Sequence, residues 1–232
     1  MNFDFNFFTR KRMRFQMEII WRCLLFYFHY PLSLRQVVEL MKDRGVILSH
    51  MSVHRWVLKF GPELEKKFRK FKLPVNLSWR VDETYVKIRG KDHYLYRAVD
   101  KRGNTVDFLL TRKRDLKAAK RFFKRSITRN GMPSKATIDK SGANFAAVNS
   151  INDERRNKIE IRQSKYLNNI VEQDHRFIKK RIRPMMGFKT FNSAKIILAG
   201  VEVLHMIFKN QSGYMPLFYQ NPQDAFWALV RA

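Results

Sequence analysis

The spacing of large apolar residues divides the chain into a helical head and a body that mixes strands with helices. Arg14 to Tyr30 is dense in bulky apolar side chains and reads as a buried helix stopped at Pro31. Ser33-Leu-Arg-Gln36 has capping-box form, and Leu34, Val37, Val38 and Met41 follow at helical spacing up to Gly45. A second start falls at Ser49, with Val53, Trp56, Val57 and Phe60 as the inner face. Two helices joined by a tight turn containing Gly is a helix-turn-helix pattern. Glu63 to Lys72 is basic and helical, and Pro74 to Ser78 reads as a linker.

Beyond the linker the period changes. Trp79–Ile88, His93–Val99 and Thr105–Thr111 are rich in β-branched and aromatic residues. The turn segments Arg89–Asp92 and Lys101–Asn104 connect them as antiparallel hairpins. Helices are expected over Leu116–Thr128, 144–155, Asn168–Arg183 and 193–208, with short strands at Lys135–Ile138 and Ile159–Arg162. Three antiparallel strands followed by alternating helices and strands is the order of a ribonuclease H-like α/β fold, a mixed sheet flanked by helices. The expected division is an all-α helix-turn-helix DNA-binding domain over 1–73, a ribonuclease H-like catalytic domain over 74–210 and a tail over 211–232. The helix at 193–208 is expected to close the core or to form a subunit contact.

Composition narrows the partners. The 232 residues carry a formal charge of +27, from 47 Lys and Arg against 20 Asp and Glu. Such an excess repels itself in a compact fold, and a polyanion relieves it. Nucleic acid leads, because each neutralised phosphate releases counterions. Apolar residues make up 45% of the chain, enough for a sizeable core and too many for a disordered basic tail. Cys23 stands alone, which excludes an internal disulfide and a cysteine zinc cluster. Ile19–Phe28 is too short to span a bilayer, and the N-terminus lacks a secretion pattern, so the expectation is a soluble cytoplasmic protein, nucleoid-associated when bound, with no membrane partner.

Three carboxylates carry the candidate chemistry. Asp82 lies inside the first strand, Asp139 ends the fourth, and Glu172 sits in the helix from Asn168. Phosphodiester chemistry near neutral pH gains from two metal ions held by hard oxygen ligands. Acids from two strands and a nearby helix can supply that set, and an acid within an apolar strand is costly unless engaged. Glu83 competes with Asp82 for the role. Asn168, Glu172, His175 and Lys179 share one helical face, where Lys179 would hold phosphate and His175 would meet DNA or the site.

These residues resemble the DDE transposases of bacterial insertion sequences, in the IS-six group, which have an integrase-type catalytic core. The resemblance runs from about residue 10 to 210, through Val81–Lys87, Tyr94–Asp100, Ile138–Lys140, Lys165–His175 and Gly200–Glu202, and in the head through Ser33-Leu-Arg, Arg44-Gly-Val46 and Ser52–Trp56. It implies Asp82, Asp139 and Glu172 as the catalytic, metal-holding triad, with Lys179 as the basic residue seven positions after the glutamate. It implies Mg²⁺, for which Mn²⁺ substitutes. The implied reaction is water-mediated cleavage at the element ends, then direct attack of the exposed 3′-hydroxyl on target DNA. Ser141-Gly142 departs from the alanine of some relatives, beside the acid and not on it.

In the head, the second helix of the motif is expected to enter the major groove, with His50, Ser52, His54 and Arg55 toward base edges and Trp56 and Val57 inward. Lys66, Lys67, Arg69, Lys70 and Lys72 are expected on phosphate, which positions without specifying sequence. Arg181, Arg183 and Lys189 extend that track. The expected partners are double-stranded DNA, as terminal inverted repeats and target, and a second copy or larger synaptic assembly. The alternatives are a non-catalytic DNA-binding protein or decayed transposase, and a structure-specific nuclease that cuts without joining.

Overall fold

The computed structural model describes residues 15–140, 142–164, 169–213 and 221–231. Arg14, Ser141, the start of the Lys165–His175 stretch and Asn168 lie outside those residues. Three helix boundaries in the head have local causes. α1 (Met17–His29) precedes Pro31, and α2 (Leu34–Lys42) opens on a complete capping box. There the Gln36 amide donates to Ser33 Oγ (3.2 Å), and the Ser33 amide donates to Gln36 Oε1 (2.8 Å). α3 (His50–Phe71) is capped by Ser49, whose hydroxyl accepts from the Ser52 amide.

The inner face ending at Phe60 and the basic run from Glu63, read as separate segments in the sequence, form one helix that continues through Gly61-Pro62. The missing amide of Pro62 removes one hydrogen bond. One inner face, Val53, Trp56, Val57, Phe60, Leu64 and Phe68, is buried along both halves and outweighs that loss. Gly61 is the point of closest approach, because a Cβ there would lie 2.8 Å from Ile196.

β1 (Ser78–Ile88) and β2 (Lys91–Asp100) form a hairpin whose two-residue turn, Arg89-Gly90, has positive φ at both positions (51° and 74°). That is the type I′ geometry matched to strand twist. Asp92, expected in the turn, therefore belongs to β2 and pairs with Lys87 at 2.9 Å. β3 (Thr105–Thr111) completes the antiparallel part. α4 (Leu116–Asn130) crosses to β4 (Lys135–Ile138), and α5 (Gly142–Asp153) crosses to β5 (Glu160–Gln163). Both short strands run parallel to β1, and the sheet order is β3-β2-β1-β4-β5. This is the ribonuclease H-like arrangement: a mixed sheet with helices on both faces.

α4 and α5 cover one face, burying Trp79, Val81, Tyr96, Phe122, Phe123 and Val148. α6 (Asn169–Ile182) and α7 (Phe191–Phe208) cover the other. On that side α1, α3, α7 and α8 (Pro222–Arg231) share one core with Val86, Leu95, Phe108 and Leu110 of the sheet. Packing is thus continuous across the Pro74–Ser78 connection. α7 is long and apolar enough to cross a bilayer, but it is the central helix of this core, packed on α1, α3 and α8. The segment 211–232, read as a tail, contains α8, whose Phe226 and Leu229 are fully buried.

Several expected phosphate contacts face inward instead. Lys67 donates to the Val230 carbonyl (3.1 Å), and Lys72 donates to the Val106 carbonyl and Asn130 Oδ1 (both 2.6 Å). Arg69 pairs with Glu65 and with buried Asp107, which also takes Arg125 and Arg129. Burying that acid without cations would be prohibitive, so these side chains are committed to the fold. Lys66 and Lys70 remain exposed.

Candidate active site

Strand register brings two of the expected acids to neighbouring positions. The last residue pair of the parallel β1–β4 ladder is Val81 with Ile138, and Asp82 and Asp139 are the next residue of each strand. Adjacent strands lie about 4.8 Å apart, so the two backbones place their aspartates side by side. Alternation then sorts the side chains of β1. Trp79 and Val81 enter the α4/α5 core, and Val86 and Ile88 enter the opposite one. Asp82 therefore faces α6, where His175 Nε2 stands 3.2 Å from its Oδ2, in close contact but off hydrogen-bond alignment. Glu83 faces the other way, toward α5, and receives the Asn144 amide at 3.1 Å. Orientation thus separates Asp82 from its competitor.

Arg114, in the connection before α4, spans the end of the sheet. It donates through Nε to Glu83 and through Nη2 to Asp139 (3.1 Å). Burial raises the Glu83 carboxyl above its ordinary value, and Arg114 offsets part of that. Among the described residues, no three His, Cys, Asp or Glu side chains stand close enough to hold a metal together. The acids are instead engaged separately, Asp139 by Arg114, with Asp82 against the His175 ring.

α6 supplies the third acid. Its inner face buries Val171, Asp174, His175, Ile178 and Arg181, leaving Glu172 and Lys179 exposed. They lie two turns apart along one flank. Glu172 is one turn from His175, whose ring contacts Asp82, so the helix carries it toward the aspartates without yet bringing the three together. His175 is only 4% exposed, which removes it from any DNA-facing surface and leaves it in the site. Burial lowers its pKa, while neighbouring Asp82 acts in the opposite sense. Arg181 is likewise buried, donating to the Phe28 carbonyl (3.2 Å) over the Tyr27 ring, and so lies off any DNA track. Arg183 is exposed.

Beneath this helix lies a buried ionic cluster that sequence reasoning missed. Arg97, the β2 partner of Asp82 in the hairpin register, is completely buried. It donates to Glu202 of α7 (2.6 and 3.0 Å) and to Asp174 of α6 (2.6 Å). Asp174 also accepts from His205 (2.6 Å) and Lys209. Burial alone would raise the Asp174 pKa, but Arg97, His205 and Lys209 overcome it and hold the carboxyl far below its usual range. The cluster ties α6 to β2 and α7 within two residues of Glu172. A signal existed in the sequence: Arg97 and Glu202 are charges within apolar strand and helix segments, and such charges require partners.

In the head, His50 and Arg55 are exposed at the start of α3, while Ser52 and His54 are half-buried. The Ser52 hydroxyl lies 3.1 Å from Ser49 Oγ, so it is already engaged at the helix cap. Val53, Trp56 and Val57 are inside, as their spacing requires.

The sheet order and crossovers, with Asp82 inside β1 beside Asp139 just past the end of β4, define a ribonuclease H-like α/β core. Residues 76–211 match the family model described as a DDE domain. The chain is 35% identical over 218 residues to the transposase for insertion sequence-like element IS431mec of Staphylococcus aureus, covering 94% of this chain and 95% of that one. The same identity and coverage hold for the transposase of insertion sequence element IS257 in transposon Tn4003. Among solved structures, the HTLV-2 integrase catalytic core domain in complex with magnesium aligns over 66% of this chain and 97% of that one, at 17% identity and a TM-score of 0.45. The chain belongs to the DDE transposases of bacterial insertion sequences. DNA strand cleavage and strand transfer go with that membership.

Proposed function

We propose that this transposase works on the ends of its own element through Asp82, Asp139 and Glu172, which would hold Mg²⁺, with Mn²⁺ able to replace it. The observation that carries this is the register step that sets Asp82 beside Asp139 on parallel strands, with α6 packed above them through His175. The donor set fits the ion, because carboxylate oxygens are hard ligands and both aspartates are partly open to solvent. When bound, such ions supply Lewis-acid stabilisation of phosphoryl transfer.

The residues present do the rest. His175, buried against Asp82, holds that side chain on the α6 side of the sheet. Arg114 holds the Asp139 carboxylate and must release it as the third acid closes in, turning fully to Glu83. Lys179, two turns beyond Glu172 on the exposed flank, takes a phosphate of the end DNA. The cluster centred on Arg97 fixes the angle at which α6 presents Glu172. His50, Arg55 and the more sheltered Ser52 and His54 meet the duplex from the start of α3, with Arg183 just beyond the end of α6. The domain units are a DNA-reading head over 1–73 and a catalytic unit after it, locked together by their shared core. The partners are double-stranded end and target DNA and a second copy of the chain, in the cytoplasm.

The test is cleavage and joining of duplexes bearing the inverted repeats that border the reading frame. Asp82→Asn, Asp139→Asn and Glu172→Gln should each abolish both steps while unfolding curves stay within about 0.5 kcal/mol of the parent. Retained cleavage in all three variants would remove the triad. Binding without cleavage under Mg²⁺ or Mn²⁺ would favour a decayed transposase, and cutting without joining a nuclease.

A further inference from the structure

α6 ends in a 3-10 turn, Arg183–Met185, that delivers Met186 to the surface. Met186 is 95% exposed and has a left-handed backbone (φ 50°) closed by a hydrogen bond from its amide to the Arg183 carbonyl (3.1 Å). A methionine gains nothing from either condition, since full exposure forgoes burial and the left-handed region costs an L residue about 1 kcal/mol or more.

Everything around this side chain is fixed. Met185 receives the Tyr27 hydroxyl at its sulfur (3.9 Å), and Phe188 is buried in the core. The Arg89 amide donates to the Phe188 carbonyl and the Phe188 amide to the Lys87 carbonyl, both at 2.9 Å, while Arg89 Nε donates to the Lys189 carbonyl (2.7 Å). The turn is thus stitched to the β1–β2 hairpin. Gly187 (φ 91°) permits that approach, because a Cβ would lie 3.3 Å from the Lys87 carbonyl oxygen. The result is one apolar side chain on a rigid mount, at an open cleft lined by Lys87, Arg89 and Gly90 on one side and Met185, Phe188 and Thr190 on the other. Lys189 lines the same cleft, and exposed Lys179, Lys180 and Arg183 precede Met186 along the chain.

We infer that Met186 is a wedge that enters the stack of the bound duplex and unstacks one base step. The cationic surroundings select a polyanion, and an apolar wedge on a basic rim is how proteins kink DNA. Arg183 follows Glu172 by three turns of helix, about 16 Å, so the wedge acts within one duplex turn of the cut. This inference rests on the DNA-end reading above and adds a place where the duplex is deformed. Base steps that unstack easily would be favoured there without any hydrogen bond to a base.

The experiment uses the full chain in chelator with end duplexes carrying 2-aminopurine at successive steps, followed by cleavage in Mg²⁺. Wild type should brighten one step, and Met186→Leu should keep the signal. Met186→Asn should lose it, with binding and cleavage about tenfold weaker and unfolding stability unchanged or higher, since Asn tolerates this backbone. Binding and cleavage by wild type with no step brightened would overturn the wedge. So would a Met186→Asn signal equal to wild type. If Met186→Asn instead lowers self-association in sedimentation and leaves the DNA signal intact, the turn is a subunit contact and the wedge fails. Absence of both binding and cleavage by wild type would sink the DNA-end reading itself, and the wedge with it.

Discussion

The two faces of the sheet are built from different materials. Under α4 and α5 the centre of the core is dry, built from Trp79, Val81, Phe122, Phe123, Ala147 and Val148, and its charges stay at the margins, Arg125 and Arg129 on Asp107 and Arg114 on Glu83. Under α6 and α7 the same sheet carries Arg97, Asp174, Glu202, His205 and Lys209 in one connected cluster, with Asp82 and His175 at its edge. An apolar face stabilises through area and tolerates small shifts in side-chain position. An ionic face stabilises little or nothing net, but it is intolerant of displacement, because each charge left alone is costly. Placing the second kind beneath the helix that carries Glu172 trades stability for position.

The largest expected effect comes from breaking the ionic face. Arg97→Met leaves Glu202 buried opposite an apolar chain and should cost about 3–5 kcal/mol in urea unfolding. Adding Glu202→Leu should recover more than half of it, since Asp174 keeps His205 and Lys209. A loss under about 1 kcal/mol for Arg97→Met would show that the cluster holds nothing in place. On the dry face, Phe122→Leu should cost under about 1.5 kcal/mol with cleavage per folded molecule unchanged. Reduced cleavage there would mean that both faces set the acids.

A pH dependence is expected as well. His29 stacks on Phe208, and burial first, then Arg181 and His205, lowers its pKa from 6.5 to about 4. Between those values the unfolded chain binds more protons than the folded one, so stability rises with pH across this window and falls as the solution is acidified through it. His29→Phe keeps the stack and should flatten that slope in thermal melts at successive pH values.

What could be read from the chain follows the range of the interaction. The Ser33–Gln36 cap, the inward face of Val53, Trp56 and Val57, and the hairpins are local, and the residues that cause them are adjacent in sequence. Asp82 and Asp139 were legible for a related reason: each interrupts an apolar strand at an identifiable place. Tertiary packing overrode local signals elsewhere. Pro62 failed to stop α3 because one inner face continues past it, and α8 in the expected tail completes the core begun by α1. Basic residues misled most. Arg69, Lys72 and Arg181 looked like phosphate ligands, but Asp107, the Val106 carbonyl and the Phe28 carbonyl take them inward. Nothing near them in sequence distinguishes a lysine that faces DNA from one that spans two helices.

Manganese binding to the full chain on end duplex, followed by electron paramagnetic resonance, tests the central assignment most directly. The account predicts tight binding by the parent and at least about tenfold weaker binding for Asp82→Asn, Asp139→Asn and Glu172→Gln, with a clearly smaller loss for Glu83→Gln. Equal affinity in the parent and all three, or a loss confined to Glu83→Gln, would contradict it.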